Sequence, residues 1–188
     1  MRRIVVSEFI TLDGVMQDPG GAEGFDRGGW AFQFNRGPEG DKFKMDELVD
    51  AGALLLGRVT YEGFAAAWPS RTGEFADMMN NLPKYVVSTT LKQPAWNNSA
   101  VIKGHVADEL RKLKSLLGKD ILVAGSGKLV QTLIENNLVD EYRLMIFPII
   151  LGKGARLFKD GYDKLPLQLV EARTVGDGVQ TMIFHLKK

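Results

Sequence analysis

Short strands that are apolar along their whole length constrain the fold of this chain more than any other feature. Ala53–Gly57 (ALLLG) and Asp120–Ala124 (DILVA) show no alternation of polar and apolar residues over most of their length. Strands of this kind are covered on both faces, as in a parallel sheet with helices above and below it. Each is followed by a segment whose apolar residues recur at helical spacing. The pattern therefore predicts an α/β fold.

Further strands and helices alternate along the rest of the chain. We predict other strands at Arg3–Ile10, Lys84–Ser88, Ala100–Lys103 and Glu141–Ile149. We predict helices at Asp41–Ala51, Arg58–Ala67, Gly73–Asn81, Val106–Leu117 and Lys128–Asn137. Leu167–Thr174 and Val179–Lys187 flank Gly176-Asp177-Gly178, a turn signal typical of a hairpin. The expected fold is a single domain over residues 1–188, a mostly parallel mixed sheet flanked by helices on both faces, with an antiparallel C-terminal hairpin.

A long Gly-rich segment, Asp13–Gly40, separates the first strand from the first helix. Connections longer than about 12–15 residues without secondary structure are usually functional or disordered. Scattered aromatic residues, among them Trp30, indicate that this segment packs on the domain. We also expect Trp68 and Trp96 to be packing residues, because no basic stripe runs among them.

Composition excludes several classes of function. The 188 residues include no cysteine, so a disulfide scaffold, an iron–sulfur cluster, a thiol nucleophile and a Cys-type zinc site are excluded. With 24 basic and 23 acidic residues the net charge is +1, which argues against general nucleic-acid binding. The longest apolar run, Leu144–Gly152, is shorter than a membrane span. We expect a cytoplasmic protein with no membrane partner and no metal, since His105 and His185 are isolated.

Two strand ends carry residues suited to phosphate. Gly125-Ser126-Gly127 follows one buried strand and opens a helix, where backbone amides and the helix dipole favour an anion. The alternative is a tight strand–helix turn. Gly57-Arg58-Val59-Thr60 follows the other buried strand and adds a cation and a hydroxyl; its alternative is a surface arginine. Ligands of open parallel sheets bind outside the carboxyl ends of the strands.

Two further strand ends carry polar side chains. Ser88-Thr89-Thr90 can bind a phosphate or ribose, or cap a turn. Asp13, after the first strand, is either a turn former or a carboxylate beside a substrate. Because candidates for a catalytic triad or a zinc site are few, hydride transfer by a bound cofactor fits this chain better than hydrolysis.

The ordered motifs resemble the dihydrofolate reductase superfamily, and within it the reductase domain of riboflavin biosynthesis. The matching segments cover nearly the whole chain: Ser7–Gly14, Leu54–Glu62, Tyr85–Thr90, Ile121–Val130 and Asp140–Phe158. The resemblance implies a sheet flanked by helices and an NADPH cofactor.

The resemblance also implies roles for individual residues. The phosphate-holding turn corresponds to Gly57, Arg58, Val59 and Thr60, and the segment beside the adenosine 2′-phosphate to Ser88, Thr89 and Thr90. The turn over the pyrophosphate corresponds to Gly125, Ser126, Gly127, Lys128 and Leu129. The nicotinamide would lie near Asp13, Gly14 and Val15. Asp13 and Asp41 are the candidate catalytic acids, and a cis peptide is implied between Gly125 and Ser126.

Our leading hypothesis is an NADPH-dependent reductase of a small heterocyclic or carbonyl substrate, similar to 5-amino-6-(5-phosphoribosylamino)uracil reductase. A nucleotide-binding protein that kept the fold and lost turnover is the alternative, and a hydrolase or phosphate-sugar binder is a third class. We expect a homodimer, because the Leu144–Leu151 strand and the hairpin offer more β surface than one small sheet needs.

Overall fold

The computed structural model describes residues 1–187. The strands are β1 Ile4–Thr11, β2 Ala51–Gly57, β3 Lys84–Val87, β4 Ser99–Ile102, β5 Asp120–Ala124, β6 Glu141–Phe147, β7 Leu167–Val175 and β8 Val179–Leu186. The helices are α1 Gly37–Asp50, α2 Arg58–Ala67, α3 Glu74–Asn81, α4 Val106–Ser115 and α5 Gly127–Glu135, with a short 3₁₀ turn at Trp30–Gln33.

The strands form one sheet in the order β4-β3-β2-β5-β1-β6-β8-β7. The first six strands in the chain pair in parallel, β8 runs antiparallel to β6, and β7 runs antiparallel to β8. The α/β fold with a mostly parallel sheet and an antiparallel C-terminal hairpin is therefore confirmed. Within the sheet, β5 lies between β1 and β2, although it comes much later in the sequence than either. The ends of β2 and β5 are consequently neighbours.

Alternate residues of the central strands enter two different cores. On one face Val6 and Val123 pack with side chains of α4 and α5, such as Leu110 and Leu133. On the other face Val5, Leu54 and Leu122 pack with one buried residue each from α1, α2 and α3. Both faces of β2 and β5 are covered, so neither strand needs a polar face, and this accounts for their uniformly apolar sequences.

Several element ends differ from the predicted ones, and three of these differences have a local reason. The first helix begins at Gly37 rather than Asp41, because Pro38 is compatible with the first turn of a helix. Helix α4 ends at Ser115, and Leu117 lies exposed before Gly118, whose φ is 147°. Strand β6 ends at Phe147 instead of Ile149, since Pro148 has no backbone N–H to continue the ladder.

The Asp13–Gly40 segment packs against the sheet as a third small core. Trp30 is fully buried, donates its indole N–H to the Gln17 carbonyl at 2.8 Å, and meets the Phe147 ring edge-on at 5.4 Å. Asp18 is also buried, and its carboxylate accepts backbone N–H groups further along the same segment. The segment is therefore ordered by its own hydrogen bonds and by aromatic packing. Trp96 is likewise buried, as predicted for a packing residue.

The C-terminal hairpin is tied to the start of α1 through its turn. The Asp177 N–H donates to the Asn35 carbonyl at 2.7 Å, and the Asn35 N–H donates to the Asp177 carboxylate at 2.8 Å. Gly176 lies so close to this segment that a Cβ on it would stand 1.9 Å from the Asn35 carbonyl oxygen. The contact fixes the end of the Gly-rich segment relative to the sheet.

Candidate functional site at the carboxyl edge of the sheet

The turns that follow β2 and β5 are joined by a reciprocal pair of hydrogen bonds. The Gly57 N–H donates to the Ser126 hydroxyl at 2.9 Å, and the Ser126 N–H donates to the Thr60 hydroxyl at 2.9 Å. The structure thus brings the two predicted phosphate turns together into one unit at the carboxyl edge.

Helices α2 and α5 both begin at this joined turn without a side-chain cap. Neither Gly57 nor Ser126, the residues at the two N-cap positions, makes a capping hydrogen bond to its own helix. The Ser126 hydroxyl instead donates to the Ala124 carbonyl. The first amides of a helix have no partner within the helix, so two adjacent helix ends present donors and positive dipole ends toward one place. This donor set fits a pyrophosphate.

Gly125 and Gly127 carry no side chain, so the backbone of the turn after β5 is left uncovered. A Cβ on Gly125 would stand 3.0 Å from the Thr60 side chain, and a Cβ on Gly127 would stand 2.9 Å from the Met16 sulfur. The predicted cis bond between Gly125 and Ser126 is wrong, since all peptide bonds in residues 1–187 are trans. The chain turns here because both residues adopt left-handed φ values, 58° and 64°.

The third strand end lies beside the first turn, as its position in the sheet requires. Val87, the last residue of β3, pairs with Gly57, so Ser88, Thr89 and Thr90 follow at the level of Arg58. The Ser88 hydroxyl accepts the N–H groups of Thr90 and Leu91, which is the capping alternative. Thr89 and Thr90 are exposed.

The Arg58 guanidinium is exposed and forms an ion pair with Glu62 at 2.8 Å, one helical turn along α2. An exposed pair of this kind is worth only ~0–1 kcal/mol. Arg58 could therefore leave its ion pair with Glu62 and bind a phosphate instead, at a small cost in free energy. Lys128, at the start of α5, is also exposed, whereas the Leu129 side chain is buried and only its backbone can face a ligand.

Asp13 holds the loop after β6 against the loop after β1. Its carboxylate accepts the Thr11 hydroxyl at 2.6 Å and the Gly152 N–H at 2.8 Å. The hydrogen bond from the Thr11 hydroxyl is the largest cause that lowers the pKa of Asp13, to about 2, and the backbone N–H groups of Gly152 and Leu151 also contribute. Asp13 is therefore an ionised acceptor at neutral pH. Gly14 follows with a φ of 80°, and the Val15 side chain is fully buried, so Val15 can present only backbone atoms to a ligand.

Asp41 lies in the first half of α1 with its side chain 67% exposed, paired with Arg36 at 2.6 Å. Two charged residues of α1, Lys44 and Glu47, face the sheet, and the sequence analysis did not select them. Glu47 is buried and accepts both the Ser7 hydroxyl at 2.8 Å and the Lys44 ammonium at 2.5 Å. Their spacing of three residues, one helical turn, is the signal that could have identified the pair.

The sequence analysis also missed Glu8, a polar residue of β1. Glu8 is buried on this interior strand, and burial raises its pKa well above the usual range for glutamate. Within residues 1–187 no group of three or more His, Asp or Glu side chains could hold a metal ion. None of the helices described is long and apolar enough to cross a membrane.

Residues 2–181 match the family model of the RibD C-terminal domain. The chain belongs to this family. The resemblance to the riboflavin-biosynthesis reductase is thereby confirmed, and membership of the RibD C-terminal domain family supports a reductase-like role.

Three individual proteins are similar over almost the whole chain. The uncharacterized protein YyaP of Bacillus subtilis (strain 168) is 31% identical over 190 residues, which cover 98% of this chain and 95% of YyaP. A crystal structure of a Shewanella sp. PV-4 protein has a TM-score of 0.79 at 21% identity, covering 99% of both chains. A pyrimidine reductase-like protein from Corynebacterium diphtheriae has a TM-score of 0.69 at 14% identity, covering 100% of this chain and 92% of its own. The two structures share the fold of this RibD C-terminal domain.

Proposed function

We propose that this RibD C-terminal domain protein is an NADPH-dependent reductase of a small heterocyclic or carbonyl substrate. The observation that carries the proposal is the joined pair of turns after β2 and β5, where two uncapped helices begin. Amides of residues 58–60 and 127–129 would hold the phosphates, and Arg58 with Thr89 and Thr90 would hold the 2′-phosphate. Bound NADPH would supply the hydride, because hydride transfer is chemistry that a cofactor, and not a protein side chain, carries.

Direct titration with nucleotide tests the site before any substrate is known. Intrinsic tryptophan fluorescence should report saturable binding of NADPH, with NADH binding more weakly. No binding of either nucleotide at millimolar concentration would contradict the proposal. Steady NADPH oxidation with one member of a pterin, pyrimidine and carbonyl panel would then separate a reductase from the alternative, a nucleotide-binding protein without turnover.

Replacing Arg58 by alanine should weaken NADPH binding by about tenfold or more and NADH binding much less. A charge-assisted hydrogen bond to a phosphate is worth roughly 1.5–3 kcal/mol, and NADH lacks the 2′-phosphate. The matched control is Arg111→Ala, which removes a similarly exposed arginine paired on α4 with Asp108. Fluorescence titration gives the Kd values of the two nucleotides for each variant. Equal losses for the two nucleotides in Arg58→Ala would rule out a 2′-phosphate contact.

We further propose a homodimer formed through the edge strand β7. Strand β6 is paired on both sides, with Leu144 buried in the core, so neither edge of β6 is free to pair with a second copy of the chain. In contrast β7 has one unpaired edge and exposes Leu169 and Val170. Two such edges related by a two-fold axis can pair antiparallel and join two sheets.

Light scattering at micromolar concentration should give twice the chain mass of 20.8 kDa. The double change Leu169→Lys, Val170→Lys should shift the protein to monomer, because like charges would face each other across the two-fold axis. The control is Leu117→Lys, at an exposed leucine after α4. A monomeric wild-type protein, or a dimer that persists in the double variant, would contradict the β7 interface.

A further inference from the structure

Glu8 is a buried carboxyl group without a full set of hydrogen-bond partners. Its residue is 4% exposed, and its Oε1 atom is buried with no partner. Only the Tyr142 and Tyr162 hydroxyls share this condition among the buried side-chain oxygens and nitrogens of residues 1–187. Native proteins rarely leave such atoms unpaired, so each case calls for an explanation.

The register of the sheet places Glu8 beside the cofactor turn proposed above. Strand β5 ends at Ala124, which pairs with Ser7, whereas β1 continues beside β6 as far as Thr11. Next to Glu8 the neighbour of β1 on that side is therefore the Gly125–Gly127 turn instead of a strand. A cofactor whose pyrophosphate is held by that turn, and whose nicotinamide lies near Asp13 and Val15, would pass beside Glu8.

The charged and polar groups near Glu8 do not neutralise a charge on it. The Lys44 ammonium on α1 and the Gly125 N–H favour its carboxylate, while the Glu47 carboxylate on α1 disfavours it. Lys44 is already paired with Glu47 and the Ser7 hydroxyl. Burial is the largest effect and raises the pKa of Glu8 well above the usual value. We therefore expect Glu8 to hold its proton to a higher pH than an ordinary glutamate does.

The two carboxyl groups that the sequence analysis selected as catalytic acids are less suited to deliver a proton. Asp13 is ionised, since its hydrogen bonds hold its pKa at about 2. Asp41 is mostly exposed and paired with Arg36. Glu8 is thus the carboxyl group of these three that combines a retained proton with burial beside the Gly-rich turn.

We propose that Glu8 is the proton donor of the reductase. This inference rests on the function proposed above, with the hydride supplied by a reduced nicotinamide. When hydride adds to the carbon of a C=N or C=O bond, the π electron pair moves to the nitrogen or oxygen. The Glu8 O–H bond breaks, its proton forms the new N–H or O–H bond, and the Glu8 carboxylate later regains a proton from solvent.

Two measurements on Glu8→Gln, which keeps the shape but has no acidic proton, test the proposal. Infrared difference spectra of the protein alone at pH 7 should show the C=O band of a protonated carboxylic acid, lost in Glu8→Gln. With NADPH and a panel substrate, single-turnover hydride transfer should slow by about 100-fold or more, while the Kd for NADPH changes less than threefold. The matched control is Glu141→Gln, a buried glutamate of β6 paired with Arg3 and Arg143 at the opposite edge, which should keep the infrared band.

The outcomes separate this inference from the proposed function. Hydride transfer at the wild-type rate in Glu8→Gln, or a wild-type protein without the band, overturns the role of Glu8 and leaves the reductase in place. A wild-type protein that shows the band but binds no NADPH overturns the reductase, and the proton-donor role falls with it. If Glu8→Gln unfolds, Glu8→Leu provides the same comparison with an apolar side chain.

Discussion

Alanine in place of Gly176 should lower the free energy of unfolding by about 3 kcal/mol or more. The φ of Gly176 is 49°, in the left-handed region that costs other residues roughly 1–2 kcal/mol. In addition the new Cβ would stand 1.9 Å from the Asn35 carbonyl oxygen, a backbone atom that cannot rotate away. Forcing extra atoms into packed structure costs a further ~1–3 kcal/mol. Urea unfolding followed by circular dichroism measures the loss.

Gly178 in the same hairpin turn provides the control. Its φ is also positive, at 90°, but a Cβ there would meet nothing within 4 Å. Gly178→Ala should therefore show only the conformational cost of about 1–2 kcal/mol. Equal losses at the two positions would show that the close approach of Gly176 to Asn35 adds nothing to the cost of the substitution.

The second large effect is on the pH dependence of stability. Because the pKa of Glu8 is raised in the folded protein, the unfolded chain loses this proton first, near the ordinary value of 4.5. Between that pH and the folded pKa, the folded state binds one more proton than the unfolded state. The free energy of unfolding contributed by Glu8 therefore falls as pH rises, by up to ~1.4 kcal/mol per pH unit.

Replacing Glu8 by glutamine removes this proton. The stability of Glu8→Gln relative to wild type should increase as pH rises from 4.5 towards the folded pKa of Glu8, measured by urea unfolding at each pH. Comparing the two proteins at the same pH cancels the titration of the other groups. A difference that stays constant over this range would mean that Glu8 titrates alike in the folded and unfolded chains.

The parts of the site that the sequence predicted are those fixed by local pattern. Wholly apolar strands followed directly by Gly57 and Gly125 place both turns at one edge of a parallel sheet, whatever the strand order. The joining hydrogen bonds were not predictable, because they depend on β5 lying next to β2, and this pairing joins segments distant in the chain. A serine at a helix start normally caps its own helix, whereas Ser126 bonds across to Gly57.

The roles of β1 and α1 were the hardest to predict. Ser7 and Glu8 are adjacent polar residues, which in a strand normally marks at least one exposed face. Both are buried because β5, β6 and helices cover β1 on all sides, which the first 40 residues cannot show. Asp41 was selected through the resemblance to the dihydrofolate reductase superfamily. The helix starts earlier than expected, and its next turn presents Lys44 and Glu47 to the sheet.

The central place of β1 also has a consequence for synthesis on the ribosome. Among the strands described, β1 is synthesised before the others, but both its partners, β5 and β6, begin only at Asp120 and Glu141. At ~5–20 residues per second, translation takes roughly 5–20 seconds to progress from the end of β1 to the start of β5. During that time an apolar strand has no edge to pair with, and strands left unpaired in this way are prone to aggregate. Two polar residues in the middle of β1, Ser7 and Glu8, lower the tendency of the unpaired nascent strand to aggregate.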